Sequence, residues 1–473
     1  MDSDFARTSG QAAAFDDTPG WARARADRMG VMIDSAAYFR AALDALDQAK
    51  RSVWLIGWTF DPRTKLDPTD TERDTRIGTV LKTLADERPE LDIRILVWNA
   101  GGLAHLARRF QPALARGWFS GSNVHFATDS TLSFGAAMHR KLLVVDDSLA
   151  FCPNDDIAVN RWDDPHHHDH NKLRRLPSGR PGPPWHANHV VLDGDAAARL
   201  GDVARAGWYQ ATGEGVTGED ERRTDLWPEG LSPLLTDTEV TLTGTDPSGE
   251  IGDPQAGLEH ALAAIRAARR TIYAETTYLT APPLREALAE RLQEPDGPEV
   301  VLITGRHAPS FFDRAMMDPP RNLFLHRLTE ADVHDRLSLL SPRTEKGRMI
   351  RVHAKLLIVD DRLIRVGSFN FANRSSGYDA ESDVVAEAED EAPLRGLRHR
   401  LIAHFLGLEA EQVARAERAT GSIGTAIRQL DANEHRLPPI VPHPPLWRGW
   451  LARMHLGDPE GERDAWRPWK RAG

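Results

Sequence analysis

Two nine-residue segments, HRKLLVVDD beginning at residue 139 and HAKLLIVDD beginning at residue 353, share a histidine, a lysine two residues later and an aspartate five residues after that. Residues two apart on a strand point to the same side, so His139 and Lys141 share one face, as do His353 and Lys355. A cation beside an imidazole disfavours both protonation of the ring and metal binding, whereas both groups suit a phosphate anion. Each segment therefore predicts an anion site.

The second segment continues into VGSFNFANRS, whose small and polar residues suit a phosphate cradle. Gly367 permits a tight turn, and Ser368 and Asn370 can donate hydrogen bonds to phosphate oxygens. In the first half the corresponding stretch is FCPNDD, in which Pro153 lacks a backbone N–H that could face a phosphate. The second half is thus expected to hold the more complete cradle.

The aspartates of the two segments, Asp146 and Asp360, are candidate catalytic residues by their recurrence. Five residues after the lysine, however, they fall on the opposite strand face or past its end. We favour a structural role, in which each fixes a turn.

The repeat extends beyond these segments. A helical pattern precedes SVWLIGWTF (52–60) and another precedes TIYAETTYL (271–279); a second apolar strand then follows in each half, at 92–98 and 299–305. Duplication of such a unit predicts an α/β fold of two mixed β-sheets flanked by helices, related by a pseudo-twofold axis with one site between them.

Length and composition agree with two halves. The chain has 473 residues, 41% hydrophobic and 27% charged, a net charge of −11 and one cysteine, Cys152. The acidic balance argues against a general grip on nucleic acid or anionic lipid, and the single cysteine suits a reducing compartment. The expected segments are an extension at 1–30, a first half at 31–225 with its motif at about 134–161, a second half at 226–410 with its motif at about 348–375, and a helical, Trp-rich tail at 411–473.

These motifs resemble the signature of the phospholipase D superfamily, His-x-Lys-x4-Asp followed by a Gly-Gly or Gly-Ser turn and an asparagine. The resemblance covers roughly residues 30–410, including WTFD (58–61), RWDD (161–164) and NRSSGYDAES (373–382), and is closest to bacterial two-motif proteins of that superfamily. It implies that both motifs meet in one active site. Asp156 stands in the place of the signature asparagine, so it joins Gly367, Ser368 and Asn370 as an expected phosphate-binding residue.

The resemblance also implies a two-step displacement at phosphorus. His139 is expected to attack and form a phosphohistidine, while His353 acts as acid and then as base; Lys141 and Lys355 neutralise the phosphate oxygens, so that no metal or cofactor is needed. In the family a carboxylate downstream of each motif orients its histidine. Glu381 fits that role for His353.

Several residues depart from the family pattern. The usual Trp-His-Asp is Trp185-His186-Ala187 here, which removes the carboxylate expected to orient His139 unless Asn188 or Asp163 replaces it. TTY (276–278) replaces the more usual Asn-Gln-Tyr of the family. Together with Pro153 these changes leave open a pseudoenzyme that binds a phosphate or a lipid head group without turnover.

Three other patterns have both a functional and a structural interpretation. The run HHHDH (166–170) could bind metal, but we favour a solvated loop within the long excursion at 163–185. Arg108-Arg109 is interpreted as a solvated face. In the tail, the tryptophans and cations could anchor the protein at a membrane interface or could pack on the globule, and we favour packing; these residues are Trp447, Arg448, Trp450, Arg453, Trp466, Arg467, Trp469 and Lys470.

The function predicted from sequence is hydrolysis or exchange of a phospholipid head group at a membrane surface, with water or an alcohol as acceptor. A cardiolipin synthase-like transferase and a nuclease-type phosphodiesterase are the alternatives within the superfamily, and nucleic acid is the less favoured substrate because of the acidic charge. No secretion signal or spanning segment is visible, so a cytoplasmic location, peripheral to the inner membrane face, is expected. The oligomeric state is left open, with a monomer compatible.

Overall fold

In the computed structural model, which describes residues 20–99, 111–219, 223–308, 311–442 and 457–459, fourteen strands form one continuous mixed sheet and two more form a short ribbon. The first half contains β1 (Ala22–Ile33), α1 (Ser35–Asp47), β2 (Ser52–Gly57), α2 (Ile77–Glu87), β3 (Asp92–Trp98), α3 (Gln111–Trp118), β4 (Val124–Asp129), β5 (Leu142–Val145), β6 (Leu149–Pro153), β7 (Trp185–His186), β8 (Asn188–Asp193) and α4 (Asp195–Thr212).

The second half repeats this order, except that its ribbon strand β13 precedes the motif strand, and it ends in helices. It contains β9 (Leu235–Thr243), α5 (Ala256–Ala267), β10 (Thr271–Thr276), α6 (Pro282–Gln293), β11 (Glu299–Ile303), α7 (Phe311–Ala331), β12 (Leu337–Leu340), β13 (Arg351–Val352), β14 (Lys355–Val359), β15 (Leu363–Gly367), α8 (Asn373–Gly377), β16 (Asp383–Glu387), α9 (Ala392–Leu406), α10 (Ala410–Thr420) and α11 (Ile423–Leu430).

The strand order across the large sheet is β12-β11-β10-β14-β15-β16-β9-β1-β8-β6-β5-β2-β3-β4. Read outward from its centre, the order is the same in both halves, strand for strand. The α/β class is confirmed, but the expectation of two separate sheets is wrong, because the long strand β1 pairs with β8 along one edge and with β9 along the other. A pseudo-twofold axis and the proposed segment boundaries stay predictions.

Alternation along the two motif strands explains how they are buried on both faces. In β5, Leu142 and Val144 enter a core shared by both halves, whereas Leu143 and Val145 enter the core of the first half. Strand β14 divides its side chains in the same way between the shared core and the core of the second half. Since successive strand residues face opposite sides, a continuous apolar run is what a strand between two cores requires.

Asp146 and Asp360 lie just beyond these strands, in the left-handed region at φ 52° and 54°. The Asp146 carboxylate accepts hydrogen bonds from the backbone N–H groups of residues 50–52 and from Arg223. The Asp360 carboxylate accepts from the N–H groups of residues 269–271 at 2.7–2.9 Å. Both carboxylates thus bind the start of an inner strand of the sheet, β2 or β10. The interpretation of Asp146 and Asp360 as catalytic residues is corrected, because they lie at the opposite end of the motif strands from the histidines.

Replacement of Asp360 by alanine is expected to destabilise the fold rather than to remove a chemical group. Three backbone N–H groups would lose a charged acceptor, and we expect the free energy of unfolding to fall by about 3 kcal/mol or more. Urea denaturation compared with Glu389→Ala, which changes an exposed acid nearby, measures this. A loss no greater than that of the control would contradict the structural role.

No helix among the described residues has the length and apolar character to cross a bilayer. The tryptophans and cations of the tail and the Arg108-Arg109 pair lie outside the described residues. Their interpretations therefore stay predictions.

Candidate active site

The two motif histidines lie at the entrance to their strands. His139 and Lys141 precede β5, and His353 precedes β14, which begins at Lys355. The prediction that each histidine lies within the strand is wrong by two to three residues, because backbone pairing to the neighbouring strand starts only at Leu142 and at Lys355. Each histidine is instead bound by the opposite half.

Backbone hydrogen bonds hold these histidines across the two halves. His139 N–H donates to the carbonyl of Ala380 at 2.8 Å, and His353 N–H donates to the carbonyl of His186 at 2.7 Å. The second contact extends the parallel ribbon formed by β7 and β13. Both motifs are therefore brought together where the halves meet.

Glu381 of the second half pairs with His139 of the first half. The His139 Nδ1 lies 2.7 Å from Glu381 Oε2, and Glu381 is buried. The prediction that Glu381 orients His353 is therefore wrong. Because the carboxylate accepts, Nδ1 carries the proton and Nε2 of His139 keeps its lone pair.

Two serine hydroxyls hold the carboxylate of Glu381. Ser368 Oγ donates to Oε2 and Ser375 Oγ donates to Oε1, both at 2.6 Å. Ser368 Oγ also accepts from the backbone N–H of Ser382, and its own N–H donates to the Ser382 carbonyl. A hydroxyl has one proton to donate, so the prediction that Ser368 binds phosphate is corrected: it supports Glu381 instead.

Asp155 takes the equivalent place beside His353. The His353 Nδ1 lies 2.6 Å from Asp155 Oδ1, and Trp185 Nε1 donates to Asp155 Oδ2 at 2.6 Å. Asp155 is fully buried and belongs to the first half. The carboxylates are thus exchanged between the halves, each contacting the histidine of the other motif.

Sheet register explains why the loss of a carboxylate at Ala187 leaves His139 supported. Pro153 pairs with His189 as Gly367 pairs with Asp383, so Ala187 corresponds to Glu381. A carboxylate at 187 would by this equivalence face His353, where Asp155 already lies. The expectation that Ala187 deprives His139 of its carboxylate is wrong, and neither Asn188 nor Asp163 is its substitute, since they bind Glu275 and His167.

Asn154 joins the two motifs at the position next to Pro153. Its Oδ1 accepts from the backbone N–H groups of Lys355 at 3.0 Å and Asn188 at 2.8 Å, and its Nδ2 donates to the carbonyl of Gly367 at 2.5 Å. A buried amide with both ends bonded fixes the relative position of the strands that carry it. The stretch that seemed to lack part of a cradle therefore forms a bridge.

The remaining predicted phosphate ligands differ in their contacts. Gly367 is not in the left-handed region; a Cβ there would lie 2.3 Å from the Ser382 carbonyl, so close packing of β16, not a tight turn, requires glycine. Asp156 Oδ1 accepts from the N–H groups of Trp58 and Thr59 at 2.7 and 3.2 Å, which corrects its assignment as a phosphate ligand: an anion already bound to the backbone repels another anion. Buried Asn370 has an Oδ1 with no hydrogen-bond partner among the described residues.

The two lysines are buried beside the histidines. Lys141 Nζ donates to the His139 carbonyl at 2.7 Å, and Lys355 Nζ donates to the His353 carbonyl at 2.8 Å and lies 3.0 Å from His353 Nδ1. Burial lowers the pKa of Lys141; burial and then the charge of Lys141 hold the pKa of Lys355 well below its usual value. Two buried lysines whose positive charges act on each other favour an anion beside them.

Both histidines are held neutral by the same surroundings. Burial, then the charges of Lys141 and Lys355, lowers the pKa of His139 well below 6.5. Burial, then the charges of Lys355 and Arg161, also lowers the pKa of His353 well below 6.5. His139 adds to this lowering. The side chains of His139 and His353 remain 16% and 15% exposed, so solvent and a ligand can reach them.

Residues that sequence reasoning missed come mainly from the long excursion and its surroundings. Asp155 could not be found by comparing the two motifs, because the equivalent residue of the second motif is Phe369. Arg161, in the quoted RWDD, stacks over Trp185 at 4.2 Å and lies 3.6 Å from Asp155 Oδ1, so it adds a third cation to the site. The excursion is also less exposed than predicted: Asp163, His167 and Arg174 are buried. For His167 the solvated-loop interpretation is wrong.

The fold and the site together define a two-motif α/β protein with paired histidines and lysines at one junction. A family model described as "Cardiolipin synthase, PLD-like domain" matches residues 261–398. Phospholipase D2 of Bos taurus is 28% identical over 152 residues, which are 32% of this chain and 16% of that protein, so the chain matches a small part of that relative's length.

A solved structure extends the likeness over nearly the whole chain. Phosphatidylserine synthase of Haemophilus influenzae Rd KW20 superposes with a TM-score of 0.58 over 90% of this chain and 99% of that chain, at 14% identity, which shows a shared fold. The matched region, residues 261–398, corresponds to a PLD-like domain, and the two sequence comparisons together support membership of the phospholipase D superfamily.

Proposed function

We propose that the protein is a phosphodiesterase or phosphatidyltransferase that acts on phospholipid head groups through a phosphohistidine. The observation that carries the proposal is the exchange of carboxylates, in which Glu381 contacts His139 and Asp155 contacts His353. Each histidine then depends on the opposite half, and a single site is the arrangement in which such an exchange has a chemical use. The alternatives within the superfamily, a cardiolipin synthase-like transferase and a nuclease, differ in substrate and not in these residues.

In the proposed first step His139 attacks phosphorus. Its Nε2 lone pair forms the N–P bond, the P–O bond to the leaving alcohol breaks, and a proton on His353 passes to the departing oxygen. Lys141, Lys355 and Arg161 neutralise the phosphate oxygens, and we expect Asn370 Nδ2 to donate to one of them. Glu381 keeps the His139 ring in the tautomer that attack requires.

In the second step His353 acts as a base. It removes a proton from water or from an alcohol, the resulting oxygen attacks phosphorus, and the N–P bond to His139 breaks. Water gives a phosphatidic acid and an alcohol gives an exchanged lipid. Since the two outcomes share every residue named above, the acceptor that reaches the site decides between hydrolysis and transfer.

The direct experiment is an assay on vesicles of phosphatidylglycerol or of phosphatidylcholine, with and without an added primary alcohol. We expect phosphatidic acid in the assays without the alcohol and an exchanged lipid in those with it. Absence of both products from both lipids would contradict the proposal for those substrates and favour the pseudoenzyme. The contacts of Glu381 with His139 and of Asp155 with His353 argue for activity, since each histidine has a carboxylate partner despite Ala187.

A nuclease is the weaker alternative because the net charge is −11. Duplex binding by a protein relies on phosphate contacts and weakens steeply with salt. Salt-dependent DNA binding with cleavage, in place of lipid turnover, would favour it.

The pH dependence is expected to differ between kcat/KM and kcat. The acid, His353, must be protonated, but its pKa in the free protein lies below 6.5. As pH rises through that pKa the protonated fraction falls, so kcat/KM should fall about tenfold per pH unit. A bound phosphodiester anion raises the pKa of His353, so the alkaline limb of kcat should lie at higher pH. Coincident limbs in the two pH profiles would contradict this assignment.

A basic cavity of about 200 Å³, lined in part by Val352, the residue before His353, suggests an anionic substrate. Its lining includes Arg306, Arg314, Arg348 and Arg351, and burial, then the charges of Arg161 and Arg348, lowers the pKa of Arg351. Like charges held together favour an anionic head group or a second phosphate.

Replacing exposed Arg348 by glutamine should therefore raise KM for phosphatidylglycerol about threefold to tenfold with kcat little changed. Phosphatidylcholine, whose head group is zwitterionic, should show a smaller change. An equal change in KM for the two lipids would show that the cavity does not select the substrate. Arg400→Gln is a control outside the cavity.

A further inference from the structure

Four side chains from distant parts of the chain converge in a buried cluster beside the candidate active site: Asp34, His167, His186 and His404. One ligand atom from each lies within 4.8 Å of the others. Asp34 lies between β1 and α1, His167 in the excursion after β6, His186 in β7, and His404 in the last turn of α9. The cluster thus joins the first half to a helix of the second.

Three of the ligand atoms already have the spacing of a tetrahedral metal site. His167 Nε2 lies 3.0 Å from His404 Nε2, and each of these nitrogens lies 3.4 Å from Asp34 Oδ2. With zinc bonds of about 2.0–2.1 Å, ligand atoms at the corners of a tetrahedron are about 3.3 Å apart. The triangle matches one face of that tetrahedron.

The carboxylate of Asp34 points into the cluster and does not cap the helix that follows it. Asp34 is the residue before α1, where an aspartate usually accepts from the first backbone N–H groups of a helix, yet it makes no such side-chain hydrogen bond. It is fully buried, and its Oδ2 has no hydrogen-bond partner among the described residues. An unpartnered buried carboxylate oxygen between two imidazoles is the feature that a cation would satisfy.

A second set of carboxylates orients the imidazoles for coordination. Asp163 Oδ2 accepts from His167 Nδ1 at 2.8 Å, so Nε2 of that ring carries the lone pair. Glu275 Oε2 lies 2.7 Å from His186 Nε2, which leaves His186 Nδ1, now 2.8 Å from Asp34 Oδ1, as the fourth ligand atom. Carboxylates on the outer nitrogens of ligating histidines are the usual support of zinc sites.

We propose that Asp34, His167, His186 and His404 bind a zinc-type divalent ion that clamps α9 to the first half of the protein. Imidazole and carboxylate donors without thiolate suit zinc among the common divalent ions. Four protein ligands in a buried site leave no open position for substrate, so the ion is structural and takes no part in the phosphoryl transfer proposed above. The proposed zinc site is therefore tested independently of that activity.

The neighbouring histidines of the same run provide matched controls. His166 and His168 are exposed and stack on one another, whereas His167 is buried. We would measure zinc by mass spectrometry after chelation, reloading with zinc alone and removal of excess, in the full chain, in His167→Gln and His404→Gln, and in a triple variant with His166, His168 and His170 each changed to glutamine.

We expect one zinc per chain in the parent and in the triple variant, and affinity lowered at least about tenfold in His167→Gln and His404→Gln. X-ray absorption at the zinc edge of the parent, which requires no variant to fold, should show three imidazole nitrogens and one oxygen near 2.0 Å. Chelation should lower Tm in the parent and not in His404→Gln. A parent that retains no zinc, or zinc lost only from the triple variant, would overturn the proposal.

Discussion

Replacing His139 by glutamine is expected to lower turnover of phosphatidylglycerol vesicles to the background rate, a loss of at least about 10⁴-fold in kcat. The imidazole Nε2 supplies the bond to phosphorus, and glutamine has no nucleophile of comparable strength. The amide can still donate to Glu381, which keeps that buried carboxylate hydrogen-bonded and favours a folded variant. His166→Gln, an exposed histidine, is the control for the substitution itself.

The matched change at His353 should have a different signature. His353→Gln removes the acid, so the loss should be about 10²–10⁴-fold for a lipid with a poor alkoxide leaving group. A substrate with a p-nitrophenolate leaving group needs no proton and should lose much less in its first step. Equal losses for both kinds of leaving group would contradict the assignment of His353 as the acid.

Asp155→Asn is expected to have the second largest effect. The carboxylate lies 2.6 Å from His353 Nδ1 and is fixed by Trp185. An amide in its place can present a donor to the ring and no longer stabilises the protonated imidazole, so kcat should fall about 10²–10⁴-fold with KM nearly unchanged. The alkaline limb of kcat should also shift to lower pH, because protonated His353 loses its anion.

Asp164→Asn provides the comparison for this variant. Asp164 is a partly exposed aspartate of the neighbouring excursion whose side chain accepts hydrogen bonds from His166 and Asn171. We expect it to retain turnover within about twofold, as is usual for surface substitutions. If Asp155→Asn kept parental kcat and pH profile, Asp155 would be a structural residue of the Trp185 contact and not a positioning residue.

The elements could be predicted because their information is local. Phe39, Leu43 and Leu46 recur at helical spacing before a strand, and the apolar runs of β5 and β14 are continuous because each strand lies between two cores. The number of sheets could not be predicted in this way. It depends on whether β1 pairs with β9 as well as β8, which is a property of edges that no local pattern encodes.

The histidines and lysines of the candidate site could be predicted from the sequence, but the carboxylates that contact the histidines could not. His139 and Glu381 are 242 residues apart, and only the folded junction shows that the carboxylates are exchanged between motifs. Ala187 could not be judged from sequence either, because Asp155, which lies against His353, occupies another position of the repeat. His167 was misjudged for the same reason: its surroundings in sequence are polar, whereas its partners Asp34 and His404 are far away in the chain.

Chemical trapping of the covalent intermediate is the sharpest test of attack by His139. A p-nitrophenyl phosphodiester mixed with the protein and quenched in base, where phosphohistidine survives, should give a covalent adduct that peptide mass spectrometry places on His139. The adduct should be absent in His139→Gln and should accumulate in His353→Gln, which lacks the base for its breakdown. An adduct on His353 that persists in His139→Gln, or rapid turnover with no adduct in any form, would contradict the account.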